Sequence, residues 1–171
     1  MNFYSGFICA TVTVRRKWLQ AVNALKIELE PYRTLAKEGV LDAVMLGHLY
    51  HPRFSDGARL PASLSGRAVQ ALRASYIGFD GVVVSDDLEM GALSGDYSFE
   101  ERVIKAVNAG TDLLVFSNVG VGDPELGVRI HAVIADGVRD GRISRARIEQ
   151  AYGKIKLLKR RLAEHDLPGK W

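Results

Sequence analysis

Three consecutive valines in "DGVVVSDD", residues 80–87, constrain this chain more than any other segment. β-Branched side chains favour extended backbone, and a strand with one wet face would alternate apolar with polar residues. An unbroken run needs cover on both faces, which is the situation of a parallel strand sandwiched between helices. Two other segments have the same character: "LDAVMLGH" at 41–48 and "TDLLVFSN" at 111–118.

Helical periodicity fills the intervals. "LEPYRTLAKEG" at 29–39 reads as a helix with Pro31 in its first turn and Gly39 as its stop. "HPRFSDGARLPASLS" at 51–65 is a loop, and a helix follows from Ser65 with Val69, Leu72 and Tyr76 on one side. After a loop at 91–98, Ser98 is the N-cap and Gly110 the stop of a further helix. A helix at about 123–138 comes next, and the last starts at Ser144, with Ile148, Ile155, Leu158 and Leu162 as its buried stripe. The order α, β, α, β, α, β, α, α is α/β architecture with right-handed parallel crossovers. It fits either a small open sheet or part of an eight-stranded barrel, and periodicity does not choose between them.

The 171 residues suffice for one ordinary domain. The net charge of +3 comes from "RRK" at 15–17 and "RISRARIEQAYGKIKLLKRR" at 142–161, read as a solvated helix face; no nucleic-acid-binding motif accompanies it. Cys9 is the single cysteine, so neither an internal disulfide nor a cysteine metal pair is available. The apolar "NFYSGFICATVTV" at 2–14 lacks preceding basic residues and is shorter than the about 20 residues of a membrane-spanning helix. The expectation is a cytoplasmic protein without a membrane span, with a signal peptide and a periplasmic setting as the alternative.

Polar residues close all three strands: Gly47-His48, Ser85-Asp86-Asp87 and Ser117-Asn118. Ligand sites of parallel α/β sheets and barrels lie at the carboxyl ends of the strands, so these residues converge on one mouth. Side chains alternate along a strand, hence only one of Asp86 and Asp87 faces that mouth, and the other supports the following turn. A histidine at a strand end, such as His48, either serves the site or bonds a nearby carbonyl; His51 and His131 are weaker candidates. No His/Cys cluster or His-Glu-x-x-His run points to a metal, and the glycines at 78, 81, 91 and 95 form no phosphate-cradling loop. No cofactor is expected.

The stretch "LPASLSGRAVQALRASYIGFDGVVVSDDLEMGAL", with "DAVMLGHLYHP" before it and "AVNAGTDLLVFSN" after it, resembles the nucleophile segment of glycoside hydrolase family 3, in particular its bacterial β-N-acetylhexosaminidase branch. The resemblance runs over about residues 29–162. It implies a partial (β/α)8 TIM-type barrel, about strands 6 to 8 with their helices, and retaining hydrolysis of terminal β-linked N-acetylglucosamine in cell-wall fragments. The aspartate after the serine at the end of strand seven is the family's nucleophile, which is Asp86 here. His48, Met90 and Asn118 would then lie near the sugar, with Ser85 and Asp87 supporting Asp86 from behind. "SDDLEM" favours this branch over the β-glucosidases and phosphorylases, which tend to have an aromatic residue after the nucleophile.

The branch takes its general acid from a histidine on a loop resembling "KHFPGHGDT", and this chain contains no such stretch. A retaining glycosidase needs both a carboxylate nucleophile and a proton donor about 5 Å away. Residues 1–28 match nothing in the family, so 29–171 are expected to be the C-terminal portion of a truncated barrel, weakly active or inactive alone. Its open edges would be covered by "ATVTV" at 10–14 as an added strand or by a homodimer through those edges. A non-catalytic α/β module that binds a sugar or a partner, or a gene remnant, is the reading from a different class.

Overall fold

The computed structural model describes residues 7–10, 21–55, 59–74, 77–119 and 122–165. Four parallel strands form one sheet in the order β1 (Phe7–Ala10), β2 (Ala43–Leu46), β3 (Val82–Asp87) and β4 (Leu113–Val115). The helices are α1 (Ala21–Lys37), α2 (Gly66–Arg73), the single turn α3 (Gly91–Ser94), α4 (Phe99–Ala109), α5 (Leu126–Arg139) and α6 (Arg145–His165). Each of the three apolar runs is a strand, and the crossovers between them carry helices.

The valines set the layering. Val82, Val83 and Val84 are 1%, 0% and 3% exposed, so neither face of β3 meets water. Val83 joins Val44, Leu46, Val69, Leu72 and Phe79 on one face, where Leu29, Tyr32, Leu35 and Ala36 of α1 close the layer. Val82 and Val84 join Ala43 on the other face, against Leu113, Val115 and Leu158 of α6. Strand β2 pairs with β3 in the register Ala43↔Val82 to Leu46↔Ser85, and just past that pairing a Cβ built on Gly47 would lie 3.8 Å from the Asp86 carboxylate.

Several expectations shift on the structure. An added strand is present, but it is Phe7–Ala10 pairing with β2; residues 11–14 lie outside the described residues. Helix α1 starts at Ala21 and not at 29, so Pro31 sits inside it. The segment "AVNALKIELE" ahead of the proline is rich in Ala, Leu, Lys and Glu, strong helix formers that carry the helix through the site where the ring removes a hydrogen bond. Helix α2 ends at Arg73, and Tyr76 lies outside the described residues. The loop at 51–65 holds two 3-10 turns, Pro52–Phe54 and Ala62–Leu64. Ser98 and Glu101 close a capping box at the start of α4, which Gly110 ends in the left-handed conformation at φ 108°.

Helix α6 departs most from its reading. Leu162 is 43% exposed, while Ile148, Ile155 and Leu158 are half-buried. Its basic residues are not simply a solvated face: Arg147, Lys154 and Arg161, seven residues apart, pair with Asp112, Asp80 and Asp42. Each of these acids stands just before a strand, β4, β3 and β2 in turn. Asp112 is the hub. Its buried carboxylate accepts from Arg147 Nη2 (2.6 Å), Arg73 Nη2 (3.4 Å) and the Val83 amide (2.9 Å), joining α6, α2 and β3 to the base of β4. Charge-assisted bonds from three elements satisfy a carboxylate that burial alone would penalise.

Candidate active site

Strand alternation separates the two aspartates. Asp86 follows Val82 and Val84 on the face of α6, whereas Ser85 and Asp87 follow Val83 on the opposite face. Ser85 is fully buried, and its Oγ accepts the Val115 amide at 2.9 Å. That bond fastens β4 where the β3–β4 register slips between Val84 and Asp87. The Ser85 hydroxyl, expected behind Asp86, is therefore engaged by the neighbouring strand. The contact to Asp86 comes from a backbone amide: Asp87 N donates to Asp86 Oδ1 at 2.9 Å.

The Asp87 carboxylate is tied to backbone amides. Its Oδ1 accepts the amides of Glu89 and Ser117, both at 3.0 Å. Burial pushes its pKa up, but hydrogen bonds from the Ser117 hydroxyl and the Glu89 and Ser117 amides outweigh burial and hold it below the ordinary carboxylate value. Glu89 repeats the device one turn on, with Oε2 accepting the Asn118 amide at 2.6 Å. The turn after β3 is thus stitched to the segment after β4 by two carboxylate-to-amide bonds. Sequence reasoning had no place for Glu89, although a carboxylate two residues past Asp87 at a strand mouth is a visible signal.

The three residues expected near the sugar stand just after the carboxyl ends of β2, β3 and β4. His48 has both ring nitrogens engaged by the protein, Nδ1 with Ser63 Oγ at 2.6 Å and Nε2 with the Asp87 carbonyl at 2.7 Å. Asn118 adopts φ 47°; its Nδ2 donates to the Asp123 carbonyl at 3.1 Å and its Oδ1 accepts the Asp123 amide at 2.6 Å, closing the loop that precedes α5. Met90 is 44% exposed, a large apolar side chain left open beside the turn. Ser63 was not foreseen, because a serine within a loop of mixed polar residues carries no distinguishing pattern.

Asp86 contrasts with both neighbouring acids. Among the described residues its carboxylate takes one hydrogen bond, at Oδ1, and none at Oδ2. Its flank is open as well, since the residue across from it is Gly47, where even an added Cβ would stop 3.8 Å from Oδ2. A half-buried carboxylate with one oxygen oriented and the other unoccupied can attack an electrophilic carbon or accept from a substrate hydroxyl. Among the described residues no group of three His, Cys, Asp or Glu is placed to hold a metal ion, and no helix is long and apolar enough to cross a membrane.

Known proteins resemble this chain in sequence and in fold. The chain is 33% identical over 119 residues to a beta-hexosaminidase of Tolumonas auensis, covering 70% of this chain and 32% of that protein. It is 30% identical to a beta-N-acetylglucosaminidase/beta-glucosidase of Cellulomonas fimi, over 86% of this chain and 27% of that one. Among solved structures, the glycoside hydrolase family 3 beta-N-acetylglucosaminidase from Paenibacillus sp. str. FPU-7 superposes with a TM-score of 0.71 at 36% identity, over 84% of this chain and 26% of that chain. The chain therefore spans about a third or less of the length of each of these three relatives. With residues 17–158 matching the Glycosyl hydrolase family 3 N terminal domain, a TIM-barrel domain of which β2, β3 and β4 are a part, and the match starting at 17 where 29 was expected, the chain belongs to that family.

Proposed function

We propose that this chain carries the nucleophile portion of a retaining β-N-acetylglucosaminidase site, with Asp86 as the nucleophile and β2, β3 and β4 as strands six to eight of the barrel. The observation that supports it is the contrast among three acids at one strand mouth. Asp87 and Glu89 are committed to backbone amides of the segment after β4, and Asp86 keeps an oxygen unoccupied. In the reaction, that oxygen forms a bond to the anomeric carbon as the bond to the leaving oxygen breaks, giving a glycosyl ester that water later cleaves. Met90 would line the apolar face of the sugar, with Asn118 at its edge and His48 behind the turn that carries Asp86.

The leaving oxygen of a natural glycoside needs a proton, and positioned acid catalysis contributes about a hundred- to ten-thousand-fold. The chain has no "KHFPGHGDT"-like stretch to supply it, so turnover of unactivated glycosides by this polypeptide should be weak or absent. An activated leaving group does not need the proton. A dinitrophenyl fluorosugar of the N-acetylglucosamine series should therefore attach its sugar to Asp86, located by peptide mass spectrometry. A label on Asp87, or none at all, removes the assignment and leaves the non-catalytic α/β module. The name of the Cellulomonas relative carries both activities, so the matching β-glucoside reagent belongs in the same experiment to separate the two sugars.

A further inference from the structure

We propose that His48 is a positioning residue, a strut that fixes the turn carrying Asp86, and that it does not hydrogen-bond the substrate. The inference rests on the reading of Asp86 as nucleophile. A carbonyl oxygen only accepts, so the 2.7 Å contact between His48 Nε2 and the Asp87 carbonyl requires the proton on Nε2. In the neutral ring Nδ1 is then an acceptor, and its partner at 2.6 Å is the Ser63 hydroxyl, which donates. Both ends of the imidazole are used, leaving no ring nitrogen for a sugar hydroxyl.

The far end of the strut is anchored. Ser63 is 0% exposed, its backbone amide donates to the Gly47 carbonyl at 3.3 Å, and the adjacent Ala62 amide donates to the Leu49 carbonyl at 2.8 Å. The turn at Ala62–Leu64 is thereby clasped to the end of β2, and His48 extends from that clasp to β3. At its near end the Asp87 carbonyl accepts a second bond, from the Met90 amide at 3.0 Å. Asp87 is consequently held at its carbonyl by His48 and Met90 and at its carboxylate by Glu89 and Ser117. Its remaining polar group, the amide N–H, points at Asp86 Oδ1. The amide of the Asp86–Asp87 peptide orients the nucleophile, and His48 is the side chain that reaches across from another strand to hold the next peptide, Asp87–Leu88, and through it the residue that carries that amide.

The test uses His48→Phe, which keeps the ring volume and removes both bonds, and His48→Gln, whose amide nitrogen restores a donor near Nε2. Fluorosugar inactivation of each protein separates the maximal labelling rate from the half-saturating reagent concentration. Positioning predicts that His48→Phe lowers the maximal rate by about ten- to a hundredfold with half-saturation unchanged, and that His48→Gln recovers most of the rate. A raised half-saturation at unchanged rate makes His48 a sugar ligand and overturns the proposal. Nitrogen-15 NMR of the imidazole gives a readout that needs no activity: Nε2 should be protonated and Nδ1 not, and amide resonances of 86–89 should move in His48→Phe. If the wild-type chain takes no label, the nucleophile assignment fails while these resonances still decide the strut; the reverse ring tautomer or unmoved resonances overturn it. Should His48→Phe not fold, Ser63→Ala removes only the Nδ1 partner and carries the same expectations.

Discussion

Arg147 donates from Nη2 to Asp112 Oδ1 at 2.6 Å, tying the first turn of α6 to the base of β4. Two turns of helix separate it from Lys154, and two more from Arg161, so the three lie along one stripe. The pairs differ in burial: the Asp112 and Arg147 side chains are 1% and 10% exposed, against 28% and 48% for Asp42 and Arg161. Removing Arg147 takes the shortest contact from a buried carboxylate that keeps Arg73 at 3.4 Å and the Val83 amide at 2.9 Å, whereas a solvated pair contributes little. Arg147→Ala should lower the unfolding free energy by about 3 kcal/mol, the low end for a buried pair because Arg73 remains. Arg161→Ala should lower it by about 1 kcal/mol or less. Urea titrations showing equal losses would count against the ranking.

Stability should also depend on acid through Asp87. Its pKa is lowered on folding, so the folded protein binds a proton there less readily than the unfolded chain does. The contribution is complete above the ordinary value of 3.8 and is lost as pH falls through the lower folded value. Comparing wild type with Asp87→Asn cancels groups that shift the same way elsewhere, such as Glu101 and Asp80. The difference in unfolding free energy should be constant above about pH 5 and should shrink below it. A difference that does not vary with pH would mean that the amide bonds to Asp87 do not depend on its charge.

How far the sequence announced this architecture varies with the kind of signal. The valine run fixed β3 and its two-sided cover, because β-branched apolar residues with no polar alternation have few other solutions. Ser98 and Gly110 marked both ends of α4, since capping and left-handed backbone depend on chemistry local to those positions. The start of α1 was hidden by Pro31, which reads as a first-turn residue until tertiary packing along the helix outweighs its cost. The acids of the α6 stripe were visible as an aspartate ahead of each apolar run, at 42, 80 and 112, yet their partners lie as many as 119 residues away. Alternation placed Asp86 and Asp87 on opposite sides but could not say which was bare; that depends on where Gly47, His48 and Ser117 come to rest in three dimensions.

Gly110 tests the close fit of α2 against α4. It has φ 108°, and a Cβ built on it would meet Val69 Cγ1 at 2.9 Å. Gly110→Ala therefore combines an unfavourable backbone region with an overpacked contact, and a loss of about 1–3 kcal/mol is expected. Trimming the neighbour with Val69→Ala relieves only the contact. In that background Gly110→Ala should be milder than in wild type, and a double-mutant cycle measures the difference. Strict additivity would show that the backbone conformation alone makes Gly110 necessary.

Gly47 governs access to Asp86 from the neighbouring strand. Its φ lies outside the left-handed region, and a Cβ would come no nearer than 3.8 Å to Asp86 Oδ2, an ordinary contact, so Gly47→Ala should fold as well as wild type. An alanine at an unstrained glycine position even stabilises by about 0.4–1 kcal/mol, through the unfolded chain. Valine is different because its two methyl groups extend beyond Cβ toward the carboxylate. Gly47→Val should keep a thermal midpoint within a few degrees of wild type, since the position lies just past the end of β2 with a φ that other residues adopt. The fluorosugar labelling rate of Asp86 should nevertheless fall about tenfold or more, since small displacements at a reacting atom are amplified in rate. Equal labelling in the valine variant would show that the sugar approaches Asp86 from another side, and the open flank at Gly47 would then serve packing alone.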